Sequence, residues 1–198
     1  MPSFSPQDPA FDQRVRTSFD HQSLNHTIGA RLTKVAAGDV EIEVPFREGL
    51  GQQHGFMHGG IVSAIVDSAG GYAALSLTPP GSEVLTVEFK INFVAPAKGE
   101  RIVARGRVTK PGRTLTVCAG DVFAVDRGEE RLVATMLQTM MTVTPQPPAH
   151  IPSAEASDIA AHVHPGGAPT ETSRGWCPCR LGSRLRRTFR AGDRITLT

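Results

Sequence analysis

Between residues 28 and 46 apolar and polar positions alternate with the period of a strand, in IGARLTKV (28–35) and again in DVEIEVPF (39–46). Ala36-Ala37-Gly38 joins the two as a hairpin loop. Upstream, FDQRVRTSF (11–19) spaces its apolar residues for a short helix. Downstream, the glycine-rich loop REGLGQQHGFMHGG leads into IVSAIVDSAGGYAALSL (61–77), which is apolar nearly all round and predicts a buried helix. Thr78-Pro79-Pro80-Gly81 stops it. Four strand-like runs follow, at 84–94, 101–109, 114–125 and 131–143, the first with Val87, Phe89, Ile91 and Phe93 on one face. Turn signals separate them at Pro96-Ala97-Lys98-Gly99, Pro111-Gly112 and Asp126-Arg127-Gly128.

The predicted order is a hairpin, one long helix and four strands in meander. A helix buried on most of its faces needs an element to wrap it, and a curved antiparallel sheet around one central helix is the simplest way to supply that. The fold class expected is α+β, in the architecture called hotdog.

Composition adds a boundary. TPQPPAHIPS (144–153) carries four prolines, too many for helix or sheet, and the segment after it has few sizeable apolar residues to offset the entropy of ordering it. Residues 1–145 are expected to form one domain and 146–198 a mostly disordered tail, with a short basic amphipathic helix allowed around Leu181, Leu185 and Phe189. Charge divides at the same place: residues 1–149 hold 14 Lys/Arg against 15 Asp/Glu, and residues 150–198 hold seven Arg against four acids. No segment has the apolar run of a membrane span, and the N-terminal residues lack the basic and apolar regions of a secretory signal. Three cysteines cannot pair evenly, so a reducing, cytoplasmic setting is expected.

The chemistry concentrates where the loop meets the long helix. Gly59 and Gly60 at a helix start leave backbone N–H groups open to close approach, and the helix dipole adds positive character there. Such a site can hold a developing oxyanion; the alternative is a glycine turn packed on the sheet. Asp67 is a lone acid on an otherwise apolar helix, either hydrogen-bonded structurally or a base or nucleophile in a wet cleft. No Gly-x-Ser-x-Gly elbow is present. Gly59 and Asp67 are separated by about 12 Å of helix at ~1.5 Å per residue, too far for one chain to bring both to a single reacting centre. Two copies with antiparallel helices could, so a catalytic Asp67 implies at least a dimer.

Gln52, His58-Gly59-Gly60 and Asp67, with the later TVEFKINFVAPAKGE (86–100), resemble the hotdog-fold acyl-CoA thioesterases of the phenylacetic-acid-degradation (PaaI) type. The resemblance covers most of residues 20–144. It implies hydrolysis of an aryl- or medium/long-chain acyl-CoA, with CoA as part of the substrate and no separate cofactor or metal. It also implies a homo-oligomer, either a dimer or a dimer of dimers. By residue, the Gly59 N–H would polarise the thioester carbonyl with help from Gln52, and Asp67 of the neighbouring chain would attack or activate water. His58 would organise the loop or donate near the thioester, and Thr86 would position the water. Two departures from the family pattern stand out: Gln52-Gln53 replaces the Asn-Pro of many members, and Gly71 occupies a position where some relatives carry a threonine.

Gly70, Gly71, Ala73 and Ala74 leave a shaved helix face, which serves close packing or makes room for an acyl group; Gly71 there, and Gly60 at the open helix start, are counted as substrate-binding. Lys90, Arg105, Arg107, Lys110 and Arg113 are the cations that could rim a CoA entrance, Arg113 foremost because it sits at a turn. Cys118 falls in a strand pattern and is expected in the core. Cys177-Pro178-Cys179 with His162 and His164 matches no common zinc spacing, and the tail arginines lie in no recognisable nucleic-acid module, so neither a metal nor nucleic acid is expected. Two other functions stay open at this point: a hotdog enoyl-CoA hydratase or dehydratase, and a non-catalytic acyl-CoA binding module.

Overall fold

The computed structural model describes residues 4–144. Two short helices, α1 (Phe11–His21) and α2 (Ser23–Ile28), precede the hairpin of β1 (Arg31–Ala36) and β2 (Asp39–Pro45). A single turn at Glu48–Leu50 leads to the long helix α3 (Gly59–Leu75), followed by β3 (Glu83–Phe93), β4 (Arg101–Lys110), β5 (Leu115–Asp126) and β6 (Glu129–Val143). The expected tail lies outside the described residues.

The six strands form one antiparallel, curved sheet in the order β1-β2-β4-β5-β6-β3, with α3 packed against it: the hotdog arrangement. The expected four-strand meander is therefore only partly present. β4, β5 and β6 follow one another, but β3 skips to the far edge and pairs with β6, while β2 pairs with β4. α2 was not expected either; its residues SLNHTI carry too few apolar positions to announce a helix.

The helix comes close to the sheet because glycines remove what would hold it off. Gly106 and Gly120 face each other in register on β4 and β5. A Cβ on Gly106 would overlap the backbone of Ala69 and Gly70, and one on Gly120 would overlap the Val66 side chain. Ile65, Val66, Ala69, Ala73 and Leu75 are buried there against Ile42, Ala104, Val122 and Ala134, and Cys118 joins the same core as expected. Burial pushes the Cys118 thiol up to about 12, so it stays a neutral apolar side chain.

The end of α3 is capped from α1. Arg14 donates to the carbonyls of Leu75 (3.1 Å), Thr78 (3.0 Å) and Ser82 (2.9 Å), and pairs with Asp8 at 2.9 Å. A cation at the negative end of a helix is favourable, and Pro79 and Pro80 prevent the helix from continuing.

The outer face of the sheet is divided. Across β2, β4, β5 and the start of β6, Arg105 bridges Glu41 (2.8 Å) and Glu130 (2.7 Å), and Arg107 pairs with Asp121 (2.8 Å). Burial pushes the Glu41 carboxyl up, but its hydrogen bonds from Arg105 and Thr33 outweigh this and hold it below the ordinary range. At the other edge β3 is exposed along nearly its whole length, although it carries Leu85, Val87, Phe89 and Phe93.

β3 also departs from strict alternation. Its pairing with β6 shifts between Thr86 and Glu88, so Val87 is an extra, bulged residue. Val87 therefore does not share a face with Phe89, Ile91 and Phe93 as alternation implied. The inward position before the bulge is Thr86.

Candidate active site

The loop before α3 is a tight hairpin. The Gln52 N–H donates to Phe56 O (2.8 Å) and the Gly55 N–H to Gln52 O (3.0 Å), with Gly55 in the left-handed region at φ 78°. The Met57 N–H donates to Ala97 O (2.9 Å) and the His58 N–H to Leu50 O (2.9 Å), which ties the helix entry to the rest of the domain. The Gln52 side-chain oxygen accepts from the His54 N–H at 2.6 Å. Because only the amide oxygen can accept, its NH2 is left to donate outward.

His58 is the N-cap of α3. Its Nδ1 accepts from the Gly60 N–H at 2.9 Å and so caps the first turn of the helix. Gly60 leaves space for that cap, since a Cβ there would stand 3.0 Å from Nδ1. The role supported for Gly60 is thus local. Gly59 opens the helix, and among the described residues its N–H has no hydrogen-bond partner. It lines a depression of about 490 Å³ with Gln52, Met57, Val62, Phe93 and Pro96. The Phe93 ring lies against it, 3.3 Å from where a Cβ would be.

Asp67 lies elsewhere. It lines a separate cavity of about 320 Å³ with Thr86, Gly71, Tyr72, His21 and Gln22. Thr86 Oγ1 donates to Asp67 Oδ1 at 2.9 Å, leaving Oδ2 open to the cavity. Burial pushes the Asp67 carboxyl above the ordinary aspartate range, and the Thr86 hydrogen bond partly opposes this. Gly71 keeps the cavity open beside the acid, since a Cβ would come within 3.3 Å of the Met140 methyl. Tyr72 Oη donates to Gln22 Oε1 at 2.9 Å, closing one side with the N-terminal helices.

One chain therefore brings Asp67, Thr86 and Gly71 together, and Gln52 and Gly59 together, but not the two groups to each other. Arg113 joins neither: it lines a third depression, of about 290 Å³, with Gln7, Thr78 and Thr116. Arg105 and Arg107, two of the other cations considered for a CoA entrance, are engaged in the ion pairs of the outer face.

His21, Gln22 and Tyr72 were not expected at the site. No local signal marked them, because the cavity forms only when the end of α1 and Gln22 lie beside α3. Among the described residues no three His, Cys, Asp or Glu side chains are grouped to hold a metal, and no helix is long and apolar enough to cross a membrane. The Cys177-Pro178-Cys179 segment and the tail arginines lie outside the described residues.

The helix wrapped by an antiparallel sheet is the hotdog fold, and the relatives that share it with this chain are thioester hydrolases. The profile of the Thioesterase superfamily matches residues 54–130. A thioesterase family protein from Silicibacter pomeroyi is 50% identical and superposes with a TM-score of 0.67 over 68% of this chain and 99% of its own. Human acyl-coenzyme A thioesterase 13 is 34% identical over 92 residues, which are 46% of this chain and 65% of that protein. The E. coli PaaI protein from the phenylacetic acid degradation operon shares the fold at 16% identity, with a TM-score of 0.63 over 71% of this chain and 98% of its own. The chain belongs to the Thioesterase superfamily.

Proposed function

We propose that this protein hydrolyses acyl-CoA thioesters, with an aryl or a medium- to long-chain acyl group, at sites shared between two copies of the chain. The observation that carries the proposal is the state of Asp67: half-buried, held at one oxygen by Thr86, and open at the other to a cavity that Gly71 widens. In this scheme Oδ2 takes a proton from water as the oxygen adds to the thioester carbonyl carbon. The carbonyl π electrons move to oxygen, and the Gly59 N–H of the other copy holds the oxyanion with Gln52. Collapse breaks the C–S bond, and the proton on Asp67 passes to the departing CoA sulfur. The products are the free acid and CoA, with no redox change.

In this reading the second copy packs against β3. An edge strand with exposed Leu85, Val87, Phe89 and Phe93 invites a partner, and a twofold axis beside it would set one chain's Gly59 end against the other's Asp67. The edge also lies between the two depressions, since Phe93 lines one and Thr86 the other.

Thiol release from a panel of aryl- and straight-chain acyl-CoAs tests the reaction. Turnover by the wild type and a loss of about 10²–10⁴-fold in Asp67→Asn are expected. Tight binding of the same esters without thiol release by the wild type would instead fit a non-catalytic binding module, and hydration of an enoyl-CoA without thiol release a hydratase.

A further inference from the structure

We propose that Gln138 is a positioning residue for Asp67, a buried amide that fixes the turn of α3 from which the carboxylate projects. The inference rests on the catalytic assignment of Asp67 above.

Gln138 sits on the inner face of β6 and is fully buried. Its Nε2 donates to the backbone carbonyl of Asp67 at 3.1 Å and to Met140 Sδ at 3.1 Å. Its Oε1 is buried and has no hydrogen-bond partner among the described residues. A buried carbonyl oxygen without a donor is costly. Methionine, the residue at the neighbouring inward positions 136 and 140, would fill a similar volume without that cost. Packing alone does not account for an amide here.

The helix opposite supplies a reason. Gly70 and Gly71 follow Asp67 within one turn, and paired glycines weaken a helix because each loses much backbone freedom on folding. Helical geometry directs the Gly71 N–H to the Asp67 carbonyl, and Gln138 adds a second donor to the same oxygen. Gly70 is the counterpart of the amide: a Cβ there would lie 2.6 Å from Nε2, 2.7 Å from Cδ and 2.8 Å from Oε1. The glycine makes room for the amide, and the amide ties down the turn that the glycine loosens.

The same contacts reach the carboxylate by a second route. Met140 Sδ, which accepts from Gln138, also lies 3.7 Å from the Thr86 hydroxyl that holds Asp67 Oδ1. Asp67 is thus gripped at its backbone by β6 and at its side chain by β3, and both grips meet on one sulfur. A displacement of about 1 Å at a reacting group is enough to cost up to ~10²-fold in rate, so loosening the turn should appear in turnover before it appears in binding.

The test uses the full chain and the acyl-CoA that the wild type turns over fastest, with Gln138→Met, Gly70→Ala and Asp67→Asn compared. Gln138→Met is expected to lose about tenfold or more in kcat with KM within about twofold, and to speed hydrogen exchange at the Gly71 amide. Gly70→Ala raises helix propensity but displaces the amide, so kcat should fall in that variant too. Wild-type kcat in Gln138→Met, or a loss confined to KM or thermal stability, overturns the positioning role. If Gln138→Met does not fold, wild-type kcat in Gly70→Ala overturns it instead. Wild-type turnover in Asp67→Asn overturns the catalytic assignment itself, which separates the two failures.

Discussion

At its N-terminus α3 faces an apolar depression with Phe93 against Gly59, whereas two turns further on the same helix faces a polar cavity where Thr86, Tyr72 and Gln22 surround Asp67. The first end offers a backbone donor that no ordinary side-chain substitution can remove. The second offers a titratable group whose burial raises its pKa. A donor for an oxyanion gains from a dry surround that strengthens it, while a base gains from a pKa brought toward working pH and from access to water. A single helix cannot place both beside one carbon, and the exposed edge of β3 between them is where a second copy would bring them together.

Asp67→Asn acts on the polar end and carries the largest expected effect, the 10²–10⁴-fold loss of turnover given above, with a stability effect of opposite sign. A carboxyl whose folded pKa is raised contributes stability that is full below the unfolded aspartate pKa and is lost as pH rises through the folded value. At neutral pH the variant should therefore melt at or above the wild-type temperature, and that gain should vanish in acid, as thermal scans at the two pH values would record.

Gly59→Pro acts on the apolar end. Proline removes the N–H but suits the first position of a helix, and His58, at φ −64° and ψ 137°, already has the backbone a residue before proline adopts. With a small shift of the Phe93 ring, the variant should fold while kcat falls by about 10²–10³-fold, read from steady-state kinetics beside circular dichroism.

Thr86→Val sharpens the contrast at the acid. It removes the hydrogen bond that partly offsets the effect of burial, so the Asp67 pKa should rise further and the acid limb of the kcat profile should move to higher pH. A loss of about tenfold at the optimum fits one hydrogen bond to a charged group. His58→Ala should have the smallest effect on turnover. Its cost is the helix cap, about 1 kcal/mol of stability by denaturant titration.

Much of the fold was legible because its signals are local. The nearly all-round apolarity of residues 61–77 predicted a buried helix, and the alternation in 39–46 a strand with one face on the core. The position of β3 was not legible, because which strand pairs with which is decided by contacts distant in sequence. The bulge at Val87 was hidden for a different reason. One inserted residue leaves the composition of a strand unchanged while reversing which side chains face inward, and that reversal turns Thr86 toward Asp67. Asp67 stood out as a lone acid on an apolar helix, and Gly59 as a glycine at a helix start. Gln138 did not, since one amide among the alternating residues of β6 looks like a solvent-facing position until the helix is laid across it. Arg14 escaped notice likewise, because its acceptors lie more than 60 residues away.

Subunit mixing tests the shared site most directly. Asp67→Asn and Gly59→Pro are each nearly inactive as pure dimers under this account. Unfolded and refolded together in equal amounts, half of the dimers would be mixed, and each of those would hold one site with both groups intact, restoring about a quarter of wild-type turnover. Activity no higher in the mixture than in the separate variants, with mixed dimers demonstrated by mass, would contradict a site built from two chains.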